Sequence, residues 1–222
     1  MKTNRMGAIW LTTAAAVLLS GCATTSGTQL VENGKSALTQ ARICCETLQD
    51  VISLSMPIEK ADHVLDEKSQ AMMFDGQKSF FVMLALPKYD RPYRIVISSF
   101  SSGNATNAAL FLPRISLHGA DRKATREFDD KSLRSRGSSL ERTIFINPEN
   151  SAEQYLLIRA SELSAKIEQN ISIVTTSAVY VAPGVYVNIS SGADSKVLVQ
   201  SSPVGRLAIE VHGLNDILAD KK

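Results

Sequence analysis

From residue 52 onward, short apolar or alternating runs recur at close intervals, each closed by turn chemistry. That rhythm constrains the fold more than anything else in the chain. The run over 71–74 stops at Asp75-Gly76, a strong hairpin signal. The run over 78–86 ends at Pro87, and its stretch from Phe80 to Leu86 is almost unbroken apolar sequence, the mark of a strand covered on both faces. In such a strand Phe80 and Phe81 lie on opposite faces. Runs over 93–100 and 109–117 follow, separated by a loop over 101–107, with Pro113 expected at an edge or a bulge. Runs over 142–146, 154–160, 171–181, 186–189, 196–200 and 206–211 complete the series. Strands at this spacing predict a mainly β domain, an antiparallel β-sandwich of the jelly-roll type. An α/β alternative needs a helix between most strands, and the sequence offers too few. Ser161 is placed to cap one short helix over 161–170, where Leu163 and Ile167 are spaced i, i+4. The stretch over 119–141, rich in charge and poor in apolar residues, reads as a long surface loop.

The N-terminus follows different rules. Lys2 and Arg5 precede an apolar run from Ala8 to Leu19, which is shorter than the roughly 20 residues of a membrane span. Leu19-Ser20-Gly21-Cys22 closes it, and the whole resembles a bacterial lipoprotein signal with its lipobox. The resemblance implies that Cys22 is acylated and opens the mature chain. Ala23, a non-acidic residue in the next position, implies sorting to the periplasmic face of the outer membrane. Residues 23–29 are small and polar and read as a tether, reaching roughly 23 Å at about 3.3 Å per residue. Residues 30–50 favour one helix, with Ala37, Leu38, Ala41, Ile43, Cys45 and Leu48 as an apolar stripe; Gly34 weakens its start. The expected organisation is a signal peptide over 1–21, a lipidated cysteine, tether and helix over 22–50, and the sandwich over 51–222.

Loss of Lys2 and Arg5 takes the 24 basic residues to 22, equal to the 22 acidic ones, so nucleic acid is not an expected partner. The one tryptophan, Trp10, lies in the signal, which disfavours a tryptophan sugar platform. Tyr89, Tyr93, Tyr155, Tyr180 and Tyr186 remain as stacking residues or half-buried strand residues.

No catalytic signature emerges. Cys44 and Cys45 leave three readings: buried small hydrophobes, a vicinal disulfide that is strained because adjacent Cα atoms lie closer than a disulfide normally needs, and redox or metal chemistry, which no CxxC and no nearby His supports. His63, His118 and His212 have no ligand-spaced companions, so neither a metal nor a cofactor is expected. Gly76-Gln77-Lys78-Ser79-Phe80 lacks the last glycine of a nucleophile elbow, and Asp129-Asp130 reads as a solvated pair. The window from Arg114 to Arg142 holds eight basic residues against five acidic ones. Within it Arg122, Lys123, Arg126, Arg134 and Arg136 form a possible loop for anionic ligands, such as envelope phosphates or acidic glycans.

Cys44-Cys45 is followed by Phe74-Asp75-Gly76-Gln77-Lys78-Ser79-Phe80-Phe81, Ala85-Leu86-Pro87 and Arg94-Ile95-Val96-Ile97-Ser98-Ser99. Phe111-Leu112-Pro113-Arg114-Ile115 and Tyr155-Leu156-Leu157-Ile158 come next. This order resembles the maltose operon periplasmic protein family over roughly 41–211. The resemblance implies a mostly β periplasmic protein associated with carbohydrate uptake, and it carries no catalytic residues. The lipobox departs from the soluble maltose-operon member. The expected function is therefore a non-enzymatic envelope lipoprotein that binds a glycan. The alternative is an assembly factor docking on an outer-membrane protein, and a hydrolase ranks last.

Overall fold

The computed structural model describes residues 25–56, 60–104, 107–136, 139–161, 166–182 and 185–213. Cys22 and residues 1–21 lie outside the described residues. One helix, α1 (Gly27–Gln40), precedes the strands. In chain order these are β1 (Leu54–Ser55), β2 (Ala61–Leu65), β3 (Gln70–Phe74), β4 (Gln77–Ala85), β5 (Tyr93–Asn104), β6 (Asn107–Phe111) and β7 (Pro113–His118). There follow β8 (Ala124–Phe128), β9 (Arg134–Arg136), β10 (Ser139–Ile146), β11 (Tyr155–Ala160), β12 (Lys166–Ala182), β13 (Val185–Ser202) and β14 (Gly205–Gly213).

The strands form two sheets. The first runs β1-β4-β11-β7-β8, with β3 also on β4; the second runs β12-β13-β6-β5-β10-β9, with β14 joining β5 to β2. Pairing between these strands is antiparallel except for β1 with β4 and β13 with β6. The β3–β4 hairpin closes as its sequence dictates: Asp75 (φ 52°) and Gly76 (φ 81°) both sit in the left-handed region that a two-residue primed turn requires.

The core lies between the sheets. Val82, Leu84, Ile115, Leu117, Leu156 and Ile158 face it from the first sheet, and Ile95, Ile97, Ile144, Ile146, Leu207 and Ile209 from the second. Burying each such side chain contributes about 1.5–3 kcal/mol. The alternate positions of β4 are covered too. Phe81 and Met83 pack with Cys45, Val51, Met72, Phe74 and Leu157 on the outer face of the first sheet, and Phe74 meets Phe81 edge-to-face at 5.4 Å. Phe80, on the opposite face from Phe81, packs with Leu38 of α1 and Ala71. The mainly β sandwich read from the sequence is the observed fold, and the double-sided burial of β4 explains its unbroken apolar run.

Several boundaries differ. The helix begins earlier than expected, because Ser26 Oγ accepts the Gln29 N–H as an N-cap, and it stops at Gln40. Gly27 to Gln29 are therefore helical, not tether. Ala41 leaves helical geometry (ψ 137°), and the chain then pairs briefly along the edge of β3, where Ile43 bridges Ala71, before Cys45 and Val51 pack on the outer face of the first sheet. Ile43 and Cys45 thus belong to an extended strap, and Leu48 to a short 3-10 turn capped by Thr47 and Asp50. The expected loop over 119–141 contains β8, β9 and the start of β10. β8 and β9 lie at sheet edges, where charged residues are the normal protection against further pairing, so poverty in apolar residues was a sign of edge strands. The expected helix over 161–170 is not formed, because Lys166–Asn170 pair with Lys196–Gln200; residues 162–165 lie outside the described residues. Ser101 to Asn104 extend β5 into a hairpin with β6 instead of looping. The runs over 186–189 and 196–200 are parts of one strand, β13.

Candidate functional site

A groove of about 490 Å³ opens where β4 ends and β11 begins. Its walls include Leu86, Pro87 and Tyr89 from one side and Glu153, Gln154 and Tyr155 from the other, with Lys88 and Ser151 at the rim. The two walls are tied together: the Leu86 N–H donates to Gln154 O (2.8 Å), and the Gln154 N–H donates to His118 O (2.8 Å). Tyr89 and Tyr155 are half-buried, while Gln154 and Lys88 are exposed.

Glu153 anchors the floor. Its side chain is only 3% exposed. Arg126 donates to it twice, from Nε to Oε1 (2.8 Å) and from Nη2 to Oε2 (2.6 Å), and Thr125 Oγ1 donates to Oε1 (2.8 Å). The nearby Tyr93 hydroxyl donates to Pro87 O (3.5 Å). Burial, with a smaller contribution from Glu153, pushes the Tyr93 phenol up to about 12. Arg122 braces the Tyr155 wall. Its guanidinium lies 5.0 Å from the Tyr155 ring centroid and donates to the carbonyls of Leu48, Gln49 (3.2 Å) and Val51 (2.8 Å). Its own carbonyl accepts from His118 Nδ1 (2.8 Å), so His118 Nε2 is left to accept from Ser116 Oγ (2.8 Å).

The five basic residues read as one anionic-ligand loop are therefore dispersed. Arg122 clasps the N-terminal strap, Arg126 neutralises Glu153, and Lys123 pairs with Asp121 at 3.4 Å. Only Arg134 and Arg136 stay together, on β9, where they border a second groove of about 430 Å³ with Arg94, Arg142, Glu141 and Phe145. Arg136 pairs with Glu141 at 3.5 Å. Arg142 donates to Ser132 O (2.8 Å) and lies 4.4 Å from the Phe128 ring centroid. Burial first, and Arg134 second, draws the Arg142 guanidinium below its usual range. Asp129 and Asp130 border a smaller mixed-charge groove with Arg114 and Arg159.

Cys44 and Cys45 are joined as a vicinal disulfide, with Cα atoms 3.8 Å apart. They are not helical: the Cys44 N–H donates to Ala71 O (2.9 Å), so the pair sits in the extended strap, with Cys45 buried and Cys44 exposed. His63 lies on β2 and His212 on β14, where His212 Nε2 pairs with Glu210 at 3.2 Å. Among the described residues no three His, Cys, Asp or Glu side chains converge as metal ligands.

Of the groove's polar residues, Lys88, Ser151, Glu153 and Gln154 had no motif to announce them. The only available signal was their position beside the two tyrosines at strand ends. No family model, no curated protein and no solved structure matches this chain.

Proposed function

We propose that the chain is a non-enzymatic lipoprotein of the cell envelope, held by acylated Cys22 at the periplasmic face of the outer membrane, that binds a neutral glycan of the maltodextrin type. The observation that carries this reading is the groove itself. It sets Tyr89 and Tyr155 against Glu153, Gln154, Lys88 and Ser151. Aromatic rings offer flat surfaces to the C–H faces of a sugar, and a few fixed polar groups orient its hydroxyls. Arg126 compensates the Glu153 charge, which suits the floor to an uncharged ligand. The resemblance to the maltose operon periplasmic family and the lipobox supply the substrate class and the location.

The alternative, docking on an outer-membrane protein, draws on the second groove, where half-exposed Phe145 stands beside Arg134 and Arg136. One experiment separates them. Maltoheptaose should raise the Tm of the purified full chain, since a ligand specific for the native state stabilises it. Tyr155→Ala should abolish the rise and Tyr155→Phe should retain it. No shift with any maltodextrin would overturn the glycan reading. Detergent co-purification with an outer-membrane protein, lost in Arg134→Ala/Arg136→Ala, would then favour the alternative.

A further inference from the structure

The outer face of the second sheet gathers arginine. β9 pairs with β10 so that Arg134 stands opposite Glu141 and Arg136 opposite Ser139, and β10 pairs with β5 so that Phe145 stands opposite Arg94. Side chains alternate along a strand. Leu140, Ile144 and Ile146 are buried toward the core, so Glu141, Thr143 and Phe145 turn outward with Arg94, Arg134 and Arg136. Together they line the second groove, of about 430 Å³. Arg142 has the core-facing parity but lies next to the edge strand. Its Nη1 donates to Ser132 O (2.8 Å), and both residues border the same groove.

Positive charge dominates there. Among the described residues Glu141 is the only carboxylate that lines the groove, and Arg136 already meets it at 3.5 Å. No acidic side chain among the described residues pairs with Arg134, and Arg142 Nε is buried without a hydrogen-bond partner. Arg134 repels Arg142, whose other charged neighbours, Asp129 and Arg126, act on it in opposite senses. Glu210, opposite Val96 on the same face, is held by Lys60 (2.9 Å) and His212 (3.2 Å). By contrast, the groove beside Arg114 and Arg159 is also lined by Asp75, Asp129 and Asp130. Guanidinium forks match the oxygens of carboxylates and phosphates. A carboxylate offers two oxygens in one plane. A phosphomonoester offers three, pointing in different directions, with up to about two negative charges near neutral pH. Forks from Arg134, Arg136 and Arg142, with the hydroxyls of Ser132 and Thr143 beside them, suit the second. The groove has room beyond a phosphoryl group, and half-exposed Phe145 offers apolar surface to whatever bears it.

We propose that this groove binds a phosphomonoester, with its phosphoryl oxygens held by Arg134, Arg136 and Arg142 and its organic part against Phe145. The site goes beyond the glycan groove and shares no lining residue with it, so either can fail without the other. The test titrates glucose 1-phosphate into the purified full chain by calorimetry at low salt. It should bind, more weakly as sodium chloride rises, and acetate should bind far less well. Arg134 and Arg136 are exposed, so Arg134→Gln/Arg136→Gln should keep the parent's Tm, while the affinity falls roughly 100-fold or more. Glu141→Gln should tighten binding, because the carboxylate that competes with the ligand is gone. No binding of glucose 1-phosphate, equal affinity for acetate, full affinity in the double variant, or weaker binding in Glu141→Gln each overturns the proposal. A competition then identifies the source of the phosphate. Phosphatidic acid vesicles that displace glucose 1-phosphate, where phosphatidylcholine vesicles do not, assign the site to a lipid headgroup, and failure to displace assigns it to a soluble phosphomonoester.

Discussion

Glu153 is almost out of water, and Arg126 and Thr125 supply the contacts that water would otherwise make. Removing one partner of a buried pair leaves an uncompensated charge, which typically costs about 3–5 kcal/mol, whereas replacing both by apolar groups is often neutral. Arg126→Leu should therefore lower stability by about that amount in urea unfolding, and Arg126→Leu/Glu153→Leu should recover most of it. Equal losses in the single and double variants would mean that Arg126 acts through its contact with the Phe145 carbonyl instead. At this scale the sequence misleads for a clear reason. Arg126 counts as a loose cation until its partner, 27 residues away, is seen. Arg122 likewise looks available for ligands, yet it satisfies carbonyls more than 70 residues earlier in the chain. Local spacing carries no information about such pairs. Tyr89 and Tyr155 were legible as half-buried aromatic side chains, but their meeting in one groove was not.

Helix α1 shows how a residue that looks like a local defect can be a packing requirement. Gly34 lowers helix propensity, and that made the segment before Lys35 a poor start. In the fold Gly34 is buried, and a Cβ there would come within 2.7 Å of Val204 Cγ2 and 3.1 Å of Pro203 Cγ. Gly34→Ala gains up to about 1 kcal/mol of propensity but overpacks a stiff turn between β13 and β14, which costs about 1–3 kcal/mol. The net expectation is a lower Tm. Val204→Ala should shrink the loss caused by Gly34→Ala, with the Pro203 contact remaining; a stabilising Gly34→Ala in the parent would contradict the close contact. Element types were legible wherever local chemistry decides them, as at Asp75-Gly76 and along β4. They failed where a neighbour decides. Residues 43–51 have a stripe that fits a helix, but the exposed outer face of the first sheet draws them into an extended strap. β8 and β9 have edge-strand composition, which resembles a loop until the edge is known.

The whole molecule's stability should follow pH as a dome whose shoulders trace to named groups. His63 is held below its ordinary value of 6.5, chiefly by burial, with Asp62 opposing; its Nε2 is buried without a hydrogen-bond partner. A depressed group contributes stability that is present above its unfolded value and lost as pH falls through the folded one. Stability should thus begin to decline below about pH 6.5. Glu210, held low first by its hydrogen bond to Lys60 and aided by His212, adds a second loss below its ordinary value of 4.5, weakened by solvent screening. On the alkaline side Tyr93 is raised from 10.0 to about 12, mainly by burial. A raised group contributes stability that is present below its unfolded value and lost as pH rises through the folded one, so the decline should run from about pH 10 to 12. These groups sit on different elements: His63 on β2, Glu210 on β14 and Tyr93 at the start of β5. β14 pairs with both β2 and β5, so all three report on the second sheet. Urea midpoints measured across pH should show a plateau between about 6.5 and 10. His63→Gln should move the acid shoulder down toward the carboxylate range, and Tyr93→Phe should flatten the alkaline one. An acid shoulder unchanged in His63→Gln would mean that a group other than His63 sets it.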